Sequence, residues 1–257
     1  MHIRPLFRHS LEKRCQVGSM KKLKLAHGRF IFGATGIESI SSGPEKPWDF
    51  NEFCRHIDPR ISDSDAVSKV ADLVRAELAK LFTGFDVVLQ SGAITRGMLG
   101  AHPDDLLNFF VAGYESGRPI VLVVKLAINW EQRHLEDPAI VHFFPGVCQR
   151  VNVSVCGIAP DDISSALNPA TPYFKWAICR SPELPDVVND VGLSLDQSVR
   201  VARAMVDVGA QFDSDTVGLP ATVITMPAFG ANDTKVYRKG LPDLCANIRD
   251  KKEEPKK

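Results

Sequence analysis

The chain has 257 residues, 44% of them hydrophobic and 24% charged, with equal numbers of acidic and basic side chains. That balance excludes wholesale disorder and provides enough apolar surface for a sizeable core. The longest strongly apolar run, Pro119 to Ile128, contains Lys125 and is about half of the roughly 20 residues a membrane helix needs, so no membrane partner is expected.

The charge is unevenly placed. Arg4, Arg8, Lys13, Arg14, Lys21, Lys22, Lys24 and Arg29 stand against Glu12 alone, a net +7 over residues 1–37. Residues 1–28 read as a flexible basic arm, 29–248 as a single α/β domain with a sub-boundary near 131–148, and 249–257 as a charged tail. A solvated extension, a phosphate-binding arm and a mitochondrial transit segment all carry this signature. The six cysteines, at 15, 54, 148, 156, 179 and 245, form no CxxC pair. They are expected to be reduced, mostly as small buried side chains, in a cytoplasmic protein.

Taken in order, the first strand candidate is Phe30–Phe32, which runs into Gly33-Ala-Thr-Gly36. This stretch resembles the GATG turn of short-chain-dehydrogenase-like proteins. A dinucleotide fingerprint needs a third glycine and an immediate helix, whereas Ser39 takes the glycine's place and Gly43, Pro44 and Pro47 interrupt any helix. A helix is expected from Asp63 to Phe82, because Val67, Val70, Ala71, Val74, Leu78, Leu81 and Phe82 recur at three and four. Ser62 and Asp65 can cap its start and Gly84 lies just past its end.

Phe85–Gln90 reads as a short buried strand, and Pro103, Asp104 and Asp105 read as the opening of a helix that Gly117 ends. Arg118–Leu126 is then a near-continuous apolar strand of the kind buried in parallel sheets, so that Phe85–Leu126 forms a βαβ unit. The joint Ala112–Val121 resembles the helix-to-strand joint of nucleoside deoxyribosyltransferase-like domains. That resemblance implies architecture only, since Asn108, Phe109 and Phe110 stand where the family places its nucleophilic glutamate; Glu115 is an alternative carboxylate. Val151–Val155 and Phe174–Ile178 alternate as half-exposed strands. A helix with a Ser194/Gln197 capping box runs to Gly209, followed by a strand at Ala221–Met226 and a short helix at Leu241–Ile248.

The expected fold is therefore α/β, with a mixed, partly parallel sheet flanked by helices and a basic N-terminal arm. In such sheets ligands bind beyond the carboxyl ends of parallel strands, which selects the loop from Ser91 to His102. Gly92, Gly97 and Gly100 allow close backbone approach, Ser91 and Thr95 offer hydroxyls, Arg96 offers a guanidinium fork, His102 closes the loop, and a following helix N-terminus would favour an anion. No metal site is expected, because His134, His142, Cys148 and Cys156 lack the close ligand pairs of zinc centres. The cofactor is unknown: neither a P-loop nor a nucleophile elbow is present.

Two functions follow. The first is binding of a nucleotide-type or other small-molecule ligand in the Ser91–His102 loop, with enzyme and binding protein both open. The second is a non-enzymatic RNA-binding or self-assembling, coat-like protein; both readings leave a homo-oligomer open. It would use Arg4, Arg8, Arg14, Lys21, Lys22 and Lys24 of the arm together with Lys235, Tyr237, Arg238 and Lys239.

Overall fold

The computed structural model describes residues 23–36, 48–99, 103–142, 165–212, 219 and 221–245. Most of the basic arm, the Val151–Val155 segment and the charged tail lie outside them.

The centre of the fold is an antiparallel sheet. Strand β1 (Leu23–Ala26) pairs with β2 (Phe30–Gly36), β2 with β3 (Asp105–Glu115), and β3 with β4 (Arg118–Asn129). The short strands β5 (His134–Leu135) and β6 (Ala139–His142) both pair with β4. Every pairing is antiparallel, which corrects the partly parallel sheet and the βαβ unit expected from the sequence.

The correction turns on two elements. Phe85–Gln90, expected as a strand, contains the short helix α3 (Asp86–Gln90), with Val87 70% exposed. Asp105–Glu115, expected as a helix, is the central strand β3. It returns into β4 through Ser116 and Gly117, whose φ angles of 50° and 76° make the tight two-residue turn that matches strand twist. The Ala112–Val121 joint is thus a hairpin, and Glu115 faces Arg118 across it.

One face of this sheet carries Phe30, Phe32, Leu107, Phe109, Val111, Leu122, Val124 and Leu126, all buried. Two helices supply the other half of this core: α1 (Phe50–Ile57), capped by the Asp49 side chain, and α2 (Val67–Leu81). The apolar stripe read for α2 is buried from Val67 through Leu78, and Phe82 completes it. Trp48, Phe50, Phe53 and Phe82 pack rings with one another and with Phe109. Cys54, fully buried here, behaves as the small apolar residue expected of it, and burial pushes its thiol up to about 12.

A second hydrophobic cluster forms after residue 165, around Ala166, Phe174, Leu184, Val201, Met205 and Val208. Its helices are α4 (Pro172–Ile178), α5 (Leu184–Val188) and α6 (Leu195–Phe212). Alternation within Phe174–Ile178 suggested a strand. The local caps favour helix instead: the Thr171 hydroxyl accepts from the Phe174 amide, and Pro172 occupies the first turn. The Ser194 box forms as read, with each partner bonding the other's amide. The helix continues past Gly209 to Phe212.

Strand β7 (Ala221–Thr225) pairs with β8 (Asp233–Tyr237), and Asn232 at this hairpin donates to the Gly28 carbonyl of the β1–β2 turn. Leu241–Asp243 is irregular and Leu244–Cys245 forms a turn, where the start of a helix was expected. Cys179 and Cys245 are joined by a disulfide, against the expectation of reduced thiols throughout. No helix among the described residues is long and apolar enough to cross a membrane.

Candidate functional site

The Ser91–His102 loop leaves helix α3 and leads to strand β3, so neither a parallel strand end nor a helix N-terminus borders it. The anion-binding helix end expected there does not exist. Within the loop the Ser91 hydroxyl turns back to the Val88 carbonyl at 2.8 Å and accepts from the Ala93 amide at 3.3 Å, capping α3. Ile94 is buried and anchors the loop to the core, while Thr95, Arg96 and Gly97 are exposed. Gly100 and His102 lie outside the described residues.

The guanidinium of Arg96 is occupied. Its Nη2 donates to both carboxylate oxygens of Asp104, at 2.9 and 3.2 Å. Arg96 and Asp104 are 62% and 57% exposed, so the pair is loosely held in water and an anion of comparable charge can displace the carboxylate.

A second pair sits on the same side of the fold. The Asp86 carboxylate, at the start of α3, lies 2.7 Å from Nδ1 of His134, while its other oxygen accepts from the Leu135 amide at 2.8 Å. The carboxylate only accepts, so Nδ1 of the ring carries a proton. The Leu135 amide foremost, with the His134 ring, holds the Asp86 carboxyl below its ordinary range against the opposing pull of desolvation. The neighbouring Arg133, at φ 49°, sends Nη1 to the Gln90 carbonyl at 3.3 Å and ties the β4–β5 connection to the end of α3. Trp130 closes the same corner by donating to the Pro103 carbonyl at 2.7 Å.

Asp86, Arg133, His134, Ser91 and Arg96 thus share one end of the sheet. Sequence reasoning found Ser91 and Arg96 and missed the Asp86–His134 pair, whose members are 48 residues apart. The sequence offers His134 as a metal ligand with His142, Cys148 and Cys156, and as a nucleophile's partner only without a neighbour in sequence. Those two histidines stand opposite Asn129 and Leu122 of β4, roughly 20 Å apart at strand rise, so they share no centre. Cys148 and Cys156 lie outside the described residues.

The residues read for nucleic-acid contact are dispersed. Arg4, Arg8, Arg14, Lys21 and Lys22 fall outside the described residues, and Lys24 in β1 pairs with Asp58 at 3.9 Å. On β8, Lys235 pairs with Asp233 at 2.9 Å, and Arg203 of α6 stacks on the Tyr237 ring at 3.9 Å. Arg238 and Lys239 are exposed. No family model and no curated protein matches this chain.

Proposed function

We propose that the protein binds a small anionic ligand of nucleotide type where the Ser91–Leu99 turn meets Arg133 and His134, and that His134 is the group there able to move a proton. The observation that carries this reading is the 2.7 Å contact from Asp86 to His134 on a ring that remains half-exposed. A carboxylate that fixes the tautomer and orientation of an accessible imidazole is the arrangement general bases use. Arg133 adds positive charge at the adjacent position, and Arg96 holds Asp104 at the same end of the sheet. The ligand's anion takes the place of Asp104 on Arg96.

The experiment is a titration with adenosine monophosphate and with inorganic phosphate, read by the NMR resonances of the His134 ring and by calorimetry. Saturable shifts at His134 that disappear in Arg96→Ala are expected. If neither probe moves the His134 resonances, or if Arg96→Ala binds as tightly as the parent, the reading fails.

One observation favours the RNA-binding alternative. The β7–β8 connection carries Phe229 at 90% exposure, on a hairpin that also bears the exposed Arg238 and Lys239. Tyr237 pairs with Ala221 at the end of the hairpin away from this connection, so the aromatic and the two cations stand at its opposite ends, a spacing suited to an extended single strand lying along the hairpin.

A further inference from the structure

Away from the His134 corner, the turn after β8 comes back onto the end of α4 and brings three potential ligands together. Sγ of Cys179, Sγ of Cys245 and a carboxylate oxygen of Asp243 all lie within 4.8 Å of one another. Two contacts hold this arrangement apart from the sulfur–sulfur bond. The Leu244 amide donates to the Cys179 carbonyl at 2.7 Å, and the Cys245 amide donates to Asp243 Oδ1 at 2.9 Å. The first of these bonds joins the segment to the end of α4 without the disulfide.

We propose that Cys179, Asp243 and Cys245 form a thiolate–carboxylate site for a soft divalent cation of the zinc type, open in the reduced protein and closed by the disulfide. A tetrahedral zinc with sulfur at about 2.3 Å and oxygen at about 2.0 Å needs its sulfurs about 3.8 Å apart and each sulfur about 3.5 Å from the oxygen. The three ligand atoms lie within 4.8 Å of one another, close enough for a cation to bring them to those distances once the disulfide is reduced. Water fills the fourth position.

Charge favours the same occupant. Two thiolates and a carboxylate carry three negative charges, one more than the cation neutralises. Arg180, whose Nη1 lies 3.2 Å from Asp243 and whose guanidinium stacks on Trp176 at 3.6 Å, supplies the balancing charge from outside the ligand set. Cys179 is 9% exposed, which shields the metal–sulfur bond from solvent. A Cys/His search of the sequence passes over this site because its close pair, Asp243 and Cys245, includes a carboxylate.

The chemistry balances. A dithiol reductant gives up two electrons and two protons and becomes a disulfide, the Cys179–Cys245 bond breaks, and each sulfur gains one electron and one proton. Binding of the cation then releases both thiol protons to solvent.

The test uses the full chain with cadmium as probe, after reduction and removal of the reductant. One cadmium per chain with a thiolate-to-cadmium absorption band is expected, together with protection of Cys179 and Cys245 from alkylation as read by mass spectrometry. The oxidised chain is expected to bind none at this site. Asp243→Asn is expected to weaken binding by at least about tenfold, since losing a ligand costs no less than losing a partner of a ligand. Absence of the band in the reduced parent, alkylation of both cysteines unchanged by cadmium, or undiminished affinity in Asp243→Asn each overturns the proposal. The alkylation result needs no variant and so does not depend on whether a substituted chain folds.

Discussion

His27 stands between two acceptors: Nδ1 lies 3.1 Å from the Asp63 carboxylate, and Nε2 lies 2.8 Å from the Asp58 carbonyl oxygen. Neither partner can donate, so only the imidazolium, protonated on both nitrogens, satisfies both contacts. The Asp58 bond first and the Asp63 bond second raise its pKa above the ordinary 6.5. A group raised in the folded state stabilises fully below its unfolded value and loses that contribution as pH climbs through the folded one. The latch between the β1–β2 turn and the segment after α1 is thus expected to weaken as pH rises above the ordinary 6.5. The ring is partly exposed, so the effect is small. Melting temperatures of the parent and of His27→Gln on either side of that value check it, and parallel pH profiles would refute it.

Glu77 behaves in the opposite sense. Its carboxylate, 10% exposed on α2, accepts from Lys80 at 2.7 Å, from Arg60 at 2.8 Å and from His56 at 3.3 Å. Lys80 first and Arg60 next hold its pKa at about 2, against an ordinary 4.5. A depressed carboxyl contributes above the unfolded value and loses that contribution as pH falls toward the folded one. Glu77→Gln is expected to cost on the order of 2 kcal/mol near neutrality, less than the full shift implies because Lys80 and Arg60 remain largely in water. The cost should shrink toward zero by about pH 2, as linkage requires. Urea denaturation at several pH values measures both, and a cost that does not change with pH would contradict the linkage.

The amphipathic helix α2, strand β4 and the Ser194 box were legible because each is specified locally, by a stripe, an apolar run and a pair of caps. Strand β3 was not. Its outward face carries Phe110, Ala112 and Tyr114, so apolar residues occupy both faces and the period of two disappears. Pro103, Asp104 and Asp105 then imitate a helix start. The decisive local signal was Ser116-Gly117, a dipeptide suited to a tight hairpin turn, and it was read as a helix stop. In Phe174–Ile178 the reverse happened, and the cap at Thr171-Pro172 outweighs a chance alternation. The Asp86–His134 pair had no local signature at all, because only the packing of α3 against β5 brings its halves together.

Leu78 is fully buried on the inner stripe of α2, packed over the sheet. Truncation to alanine empties a closely packed site, and a loss of about 2 to 5 kcal/mol is expected. Equilibrium denaturation with an unchanged slope checks it, and a loss under about half a kcal/mol would place the stripe outside the core.

Gly36, the second glycine of the Gly33-Ala-Thr-Gly36 stretch, which lies in β2 and is no turn, needs no ligand to explain it. It ends β2 at φ 105°, and a Cβ there would meet the Leu106 carbonyl oxygen at 2.5 Å and the Leu107 Cα at 3.0 Å. Both atoms are backbone of the central strand and cannot step aside. Gly36→Ala should therefore cost about 2 to 4 kcal/mol, combining conformational strain with overpacking. Its folded fraction should bind adenosine monophosphate no differently from the parent. Normal stability with lost nucleotide affinity would restore the phosphate-turn reading.

The β7–β8 hairpin gives the last test, because its residues differ in how free they are to meet a polyanion. Lys235 is already neutralised by Asp233, at 2.9 Å, and Tyr237 already has Arg203 on its ring. Arg238 and Lys239 are exposed, and Phe229 is 90% exposed. If single-stranded RNA binds here, Arg238→Ala and Lys239→Ala should each flatten the dependence of affinity on salt by about 0.7 in logarithmic slope. Lys235→Ala should change it less, since removing that lysine also frees Asp233. Phe229→Ala should weaken binding by about 1 to 3 kcal/mol at every salt concentration, the worth of one stacked base. Removal of residues 1–22 separates the arm from the hairpin. If that deletion takes the whole salt dependence and the hairpin substitutions take none, the hairpin is no RNA contact and the basic arm acts alone. If neither matters, the nucleic-acid reading falls and the His134 corner is left as the binding site.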